Sequence, residues 1–238
     1  MDSGNGWDAS AEAWIADMGE SGDFSRRNVL DAPMLDRIRG RGFQSALDVG
    51  CGEGRFCRMM AELGIATTGI DPTARLIEVA RSRDARGSYI EGQAEALPFA
   101  DASFDLVVSY LTLIDIDDVN AAIAEMARVL SPGGTLLIAN LNSFSTAGTW
   151  QGEGESARGY LIDNYLEPRA EWVGWRGILI RNWHRPLAAY MQPLLGQGLR
   201  LVHFDEPAAR DGEPARVARY NRAPYHLIME WTKAYAPR

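Results

Sequence analysis

The chain has 238 residues, of which 46% are hydrophobic and 24% charged, and it contains two cysteines. That length closes a full core as one α/β domain, while two cysteines are too few for a disulfide framework or a metal cage. The net charge of −8 leaves no broadly basic surface for a phosphate backbone, which disfavours nucleic-acid partners.

Residues 1–40 read as two helices. Trp14, Ile15 and Met18 make one apolar stripe. Asp31 with Pro33 opens the second helix, Asp as N-cap and Pro in the first turn. The amino terminus, Met-Asp-Ser-Gly-Asn-Gly-Trp, carries no basic or apolar leader, so no signal peptide is expected.

A core of alternating strands and helices follows over residues 41–140. Residues 46–54, Ala-Leu-Asp-Val-Gly-Cys-Gly-Glu-Gly, turn an apolar strand into glycines at alternate positions. Phe56, Met59, Met60 and Leu63 then repeat at helical spacing. Glycines in such a turn admit positive φ and let a ligand approach the backbone. Asp48 ends the strand, at the edge where open parallel sheets bind ligands. The dinucleotide fingerprint G-x-G-x-x-G does not fit, because Arg55 falls where its third glycine would stand. Asp48 also suits a cationic amine better than a diphosphate.

A second strand, Ala66–Ile70, ends at Asp71, whose carboxylate can accept from both hydroxyls of a ribose. Pro72 and a helix carrying Leu76, Ile77 and Ala80 follow. Next come the segment Glu91–Phe99, with Gln93 and Ala94, and the apolar strand Phe104–Ser109 leading to Tyr110. Val119, Ala122, Ile123, Met126 and Leu130 repeat at helical spacing behind an Asp117/Asp118 cap. Ser131-Pro132-Gly133-Gly134 stops that helix before a strand at Leu136–Ala139.

In this order and spacing, Asp48-x-Gly50-x-Gly52-x-Gly54, Asp71, Glu91–Phe99 and Glu125–Thr135 resemble the class I S-adenosylmethionine (SAM)-dependent methyltransferases. In pattern they are similar to small-molecule enzymes of the ubiquinone/menaquinone-biosynthesis and malonyl-carrier O-methylating kind. The resemblance covers roughly residues 44–140. It implies a doubly wound, Rossmann-like α/β fold with a seven-stranded sheet whose last strand is antiparallel. It implies SAM as cofactor, released as S-adenosylhomocysteine, and no metal. The residues it assigns to the cofactor are Asp48, Gly50, Cys51 (through its backbone), Gly52 and Gly54 of the turn, and Asp71 with Pro72 at the ribose. Gln93 and Ala94 are assigned to the adenine, and Tyr110 to the methionine part or the methyl group. Gln93 stands where Asp is more usual, yet its carbonyl oxygen still accepts from an amine. Asp115 stands where the family often carries His, so no general base carries over from that loop.

Residues 141–184 exceed the bare fold and are rich in aromatics: Tyr160, Tyr165, Trp172, Trp175 and Trp183. A hairpin is expected over Ala170–Asn182. An insertion here lies over the carboxyl edge of the sheet, either capping a flat or apolar acceptor or forming a small satellite core. The amino-terminal helices likewise either lid the cofactor or pack on the sheet edge. His184-Arg185-Pro186-Leu187 opens a helix that ends at Gly196 and Gly198. His184 is the candidate base, or else a cap for that helix. Residues 185–238 complete the core, with a strand at Leu199–Phe204, a mobile acidic loop over 205–217 and a last strand at His226–Trp231. His203 and His226 are expected to be structural.

The function expected is methyl transfer from SAM to a small-molecule acceptor by in-line displacement, achieved mainly by positioning, with O- or C-methylation ahead of N-methylation. The alternatives are a SAM or S-adenosylhomocysteine binder without turnover, and a nicotinamide-dependent oxidoreductase, which the glycine spacing opposes. A cytoplasmic protein is expected. The uncharged run Val129–Gly152 is broken by Pro132 and a glycine pair and cannot span a membrane.

Overall fold

Parallel strands need crossovers, and the periodic apolar helices between the core strands supply them. The computed structural model describes residues 4–152 and 157–235. The first residues of the amino-terminal reading and the end of the Ser/Thr/Gly-rich stretch 143–154 lie outside them.

Two helical stretches come first: α1 (Trp7–Met18), then a π-helical turn at Arg26–Leu30 running into α2 (Asp31–Asp36). The core alternates β1 (Ser45–Val49), α3 (Arg55–Glu62), β2 (Ala66–Asp71), α4 (Ala74–Arg83) and β3 (Ser88–Glu91). It continues through β4 (Phe104–Tyr110), α5 (Val119–Val129) and β5 (Leu130–Leu141). After the short α6 (Ser143–Thr146) come two hairpins, β6 (Gly148–Gln151) with β7 (Gly159–Ile162), and β8 (Arg169–Trp175) with β9 (Ile178–His184). The chain closes with α7 (Leu187–Gly196), β10 (Leu199–Asp205), α8 (Pro214–Tyr220) and β11 (His226–Lys233).

The main sheet has seven strands in the order β3-β2-β1-β4-β5-β11-β10. The last strand in sequence, β11, is antiparallel to both of its neighbours, β5 and β10, and this is the Rossmann-like architecture expected. Both faces of the sheet are covered, so its central strands read as continuous apolar runs. Leu47, Val107 and Ile138 face α5 and α7, where Ile123, Met126 and Leu194 are buried. Leu106, Val108 and Leu137 face the other way, against Phe56 and Met60 of α3 and Met34 of α2.

Several local readings change. Asp31 does not cap α2: its carboxylate pairs with Arg55 and accepts the Tyr110 hydroxyl, while helical backbone already runs through it from the π turn. The strand after α5 begins at Leu130, because the stretch from Ser131 to Gly134 is extended and Gly133, at φ 78°, absorbs the turn. The loop expected over 205–217 contains the start of α8. Glu213 caps that helix, accepting from the Ala215 and Arg216 N–H groups, with Pro214 in the first turn. Arg216 lies 4.2 Å from the Phe24 ring centroid and Tyr220 packs on the same ring at 4.9 Å, which docks α8 against the chain before α2.

Candidate active site

A cavity of about 400 Å³ lies at the carboxyl edge of the sheet, running from the ends of β2 and β1 to the start of β11. Its floor is the glycine turn. Gly50 takes φ 76° and Gly52 φ 55°, conformations that L side chains rarely adopt. A Cβ on Gly50 would stand 2.1 Å from the Thr112 side chain, so that position has no room either. At Gly52 the nearest atom would be Trp14 Nε1 at 3.9 Å, so backbone conformation alone demands glycine there. The Gly50 and Cys51 N–H groups donate to Ile70 O at 2.8 and 3.1 Å, binding the turn to β2.

Asp71 closes this floor. Its Oδ2 accepts the Gly52 N–H and its Oδ1 the Thr73 N–H, each at 2.9 Å. The Thr73 side chain also hydrogen-bonds this carboxylate, and with two lone pairs on each oxygen it still has accepting capacity for a ligand hydroxyl. Burial raises the Asp71 pKa, and the two N–H donors work against it.

The cavity wall includes Gly50, Gly52, Asp71, Pro72, Gln93, Ala94 and Tyr110. Asp48, Cys51 and Gly54 stand behind that wall. Asp48 is buried beneath the turn, with Oδ1 unpartnered and Oδ2 3.6 Å from the Cys57 thiol. Burial raises its pKa to about 7, the thiol hydrogen bond partly offsetting it. Cys51 and Cys57 are buried free thiols. Tyr110 presents its ring to the cavity, but its hydroxyl donates to Asp31 Oδ1 at 2.8 Å.

His184 is elsewhere. It ends β9 instead of opening α7, is buried, and does not line the cavity. Its Nδ1 is 2.7 Å from Thr146 Oγ1 and its Nε2 2.9 Å from Tyr165 O. Burial lowers its pKa. With both nitrogens engaged between α6 and the inserted hairpins, this ring holds the insertion together and cannot serve as the base at the cavity.

The roof comes from α1 and the β8–β9 hairpin. Ser10 Oγ donates to Leu179 O and accepts the Leu179 N–H, both at 3.0 Å. Trp7 and Trp14 meet edge to face at 4.9 Å, and Trp14 approaches Trp175 of the hairpin at 6.4 Å. The loop after β4 is tied to the hairpin by Trp183 N–H to Ile114 O at 2.7 Å. Buried Arg185 donates to the carbonyls of Leu113, Ile116 and Asp117, which fixes that loop from below. Leu111, the first residue of the loop, takes φ 57° on the cavity wall, a strained conformation for leucine.

Sequence reasoning missed several lining residues. Arg26 is the one cation on the cavity wall among the described residues. It pairs with Asp23 at 3.2 Å and stands 4.9 Å from the Trp14 ring centroid and 5.7 Å from that of Tyr110. Burial acts to raise the Asp23 pKa, but the Arg26 charge and N–H hold it below the usual value. Asp115, which the sequence reading did place at the methyl end, lines the cavity and accepts from the Asn182 amide. Burial raises its pKa to about 8 against that hydrogen bond. His226, expected to be structural, is on the wall too.

Known proteins resemble this chain in sequence and in fold. A family described as "Methyltransferase domain" matches residues 47–138. Malonyl-[acyl-carrier protein] O-methyltransferase of Salmonella typhimurium is 30% identical over 214 residues, which cover 82% of this chain and 84% of that protein. The same-named protein of Serratia marcescens is 35% identical over 125 residues, and the match spans 51% of this chain and about half, 49%, of that relative. Among solved structures, the S-adenosylmethionine dependent methyltransferase of Mesorhizobium loti superposes with a TM-score of 0.74 at 24% identity, over 90% of this chain and all of that one. The chain belongs to the SAM-dependent methyltransferase family.

Proposed function

We propose that this protein transfers the methyl group of SAM to the oxygen or carbon of a small acceptor held in the same cavity. The observation that carries the reading is the joined floor: a turn whose positive φ at Gly50 and Gly52 keeps side chains out, closed by Asp71. The residues present fit the cofactor. Gly50 and Gly52 leave the backbone bare, and Asp71 keeps lone pairs for ribose hydroxyls. Pro72, Gln93 and Ala94 stand on the adenine side of Asp71. Arg26 meets a carboxylate, while the rings of Trp14 and Tyr110 flank its guanidinium. Asp48, whose Oδ1 has no partner beneath the turn, acts on the ammonium end through the floor rather than by contact.

Bound there, SAM supplies an electrophilic methyl group on a sulfonium with a good leaving group. The protein's part is placement in a dry site. Trp7, Trp14 and Trp175 exclude water from above, and Arg185 and the strained Leu111 fix the loop that faces the methyl end. The roof formed by α1 and the β8–β9 hairpin supports the reading of residues 1–40 as a lid and of 141–184 as an acceptor cap. The names of the relatives support both a free acceptor and one carried on a protein. Free thiols at Cys51 and Cys57 fit a cytoplasmic setting. No helix among the described residues is long and apolar enough to cross a membrane.

Calorimetric titration with SAM, and separately with NADH, tests the reading. Micromolar SAM affinity without NADH binding is expected; NADH binding in place of SAM overturns it.

A further inference from the structure

One polar group on the cavity wall has no use in holding the cofactor. His226 begins β11, opposite Leu141 of β5, and is 3% exposed. Its Nδ1 is buried and has no hydrogen-bond partner among the described residues. An unsatisfied buried polar atom costs about 1–3 kcal/mol, and the side chain that carries it is part of the cavity lining.

The ring is held and its charge is set by its neighbours. Tyr220 stacks on it at 6.1 Å with 18° between planes, and Tyr225 lies at 6.3 Å. The Tyr220 hydroxyl and Ser25 Oγ share a hydrogen bond of 3.0 Å, which brings the chain before α2 to the same corner. Burial lowers the His226 pKa to about 4, with Asp23 acting to raise it and Arg26 to lower it. The imidazole is therefore neutral at physiological pH.

Position along the sheet divides the cavity. Adjacent strands lie about 4.8 Å apart, and the cofactor residues occupy the ends of β2, β1 and β4. The wall that remains, over β4, β5 and β11, carries Leu111, Leu141 and His226, with Ser25 above. The strand-borne part of this wall is apolar apart from the neutral His226, with Asp23, Ser25 and Arg26 beside it.

We propose that His226 faces the methyl acceptor and takes the O–H of a phenolic or enolic compound seated over Leu111 and Leu141. The inference rests on the reading that the same cavity binds SAM. A carboxylate acceptor is disfavoured here. It brings no proton for the imidazole, it places a second negative charge beside Asp23, and Arg26 is shared between Asp23 and the carboxylate assigned to the cofactor. In the reaction the hydroxyl oxygen provides the pair for the new O–CH₃ bond, and sulfur keeps the pair of the broken C–S bond. The hydroxyl proton passes to His226, where the imidazolium faces Asp23, and then to water.

Nitrogen NMR of the imidazole rings tests this in protein saturated with S-adenosylhomocysteine, since the chain has only three histidines. Adding para-cresol is expected to shift the His226 ring signals and leave those of His184 and His203 in place; para-toluate is expected to shift none. Absence of any His226 shift with para-cresol overturns the proposal, and so do equal shifts with both probes. His226→Phe keeps the stack on Tyr220. It is expected to bind S-adenosylhomocysteine as the wild type does and para-cresol about tenfold more weakly; unchanged para-cresol affinity overturns the proposal. If that variant does not fold, the wild-type titration decides alone. Calorimetry with S-adenosylhomocysteine comes first: no binding by the wild type removes the cofactor reading itself, a result distinct from a silent His226.

Discussion

Asp71 Oδ2 accepts the Gly52 N–H across 2.9 Å, which makes the acid that ends β2 and the turn that ends β1 a single unit. Asp71→Ala therefore removes more than a ribose partner, because the Gly52 and Thr73 N–H groups also lose their acceptor. SAM affinity in that variant is expected to fall well over tenfold, which is about 1.4 kcal/mol or more. Asp71→Asn keeps one carbonyl oxygen and is expected to lose less. Calorimetry measures both, and near-wild-type affinity in the alanine variant would count against the cofactor site drawn here.

Arg26 is the second lever on cofactor binding. Its guanidinium lies 4.9 Å from the Trp14 centroid, and stacking of this kind is worth about 0.5–2 kcal/mol depending on exposure. Arg26→Ala removes both the stack and the charge opposite a carboxylate, so SAM affinity should drop by about tenfold or more. Arg26→Lys restores the charge without the planar fork and should recover part of the loss. Equal affinities in all three proteins would take the carboxylate away from Arg26.

The floor of this site was legible because its chemistry is written in consecutive residues. A glycine turn, an acid at a strand end and an apolar periodicity each leave a local pattern, and the order of the strands follows from right-handed crossovers. The walls were not legible, because they are joined only in space. Arg26 has no neighbour in sequence that marks it, and its partners Trp14 and Tyr110 lie on separate elements. Asp31 and Pro33 carry the local signature of a helix start, yet the pull of Arg55 and Tyr110 on that carboxylate outweighs capping. His184 was placed at the mouth by its position after the insertion. The hairpin in fact delivers Asn182 to the cavity and turns His184 toward Thr146 and Tyr165. His226 was open to a topological argument: the first residue of an antiparallel strand lies at the carboxyl edge of its parallel neighbours.

His184 should act on stability and not on the cofactor. His184→Ala breaks the contacts to Thr146 Oγ1 and Tyr165 O and leaves a buried space between α6 and β9. A loss of about 1–3 kcal/mol is expected from the unmade hydrogen bonds alone, read as a lower melting temperature. SAM affinity below the melting range should stay at the wild-type value. A variant that melts as the wild type does but no longer binds SAM would return His184 to the cavity.

Asp115 predicts how stability changes with pH. Its folded pKa is raised to about 8 from an ordinary 3.8, so near neutrality the folded chain holds a proton that the unfolded chain has released. Stability from this group is then highest in acid and falls as pH rises, levelling off above about 8. Asp48, raised to about 7, adds a slope of the same sign that levels earlier. His226, whose folded pKa is lowered, adds a slope of the opposite sign that fades above its ordinary value of 6.5. His226 and the raised Asp71 are the same in wild type and an Asp115 variant, so comparing the two over the window between pH 6.5 and 8 isolates Asp115. Across it Asp115→Asn, with Asn182, Trp7, Asp71 and Arg26 around it unchanged, should melt higher than the wild type, and the gap should widen toward pH 8. Thermal melts of the cofactor-free proteins read this directly. Parallel curves for the two proteins would mean that Asp115 ionises in the folded chain as it does in water, and that the cavity is wetter at that end than its burial implies.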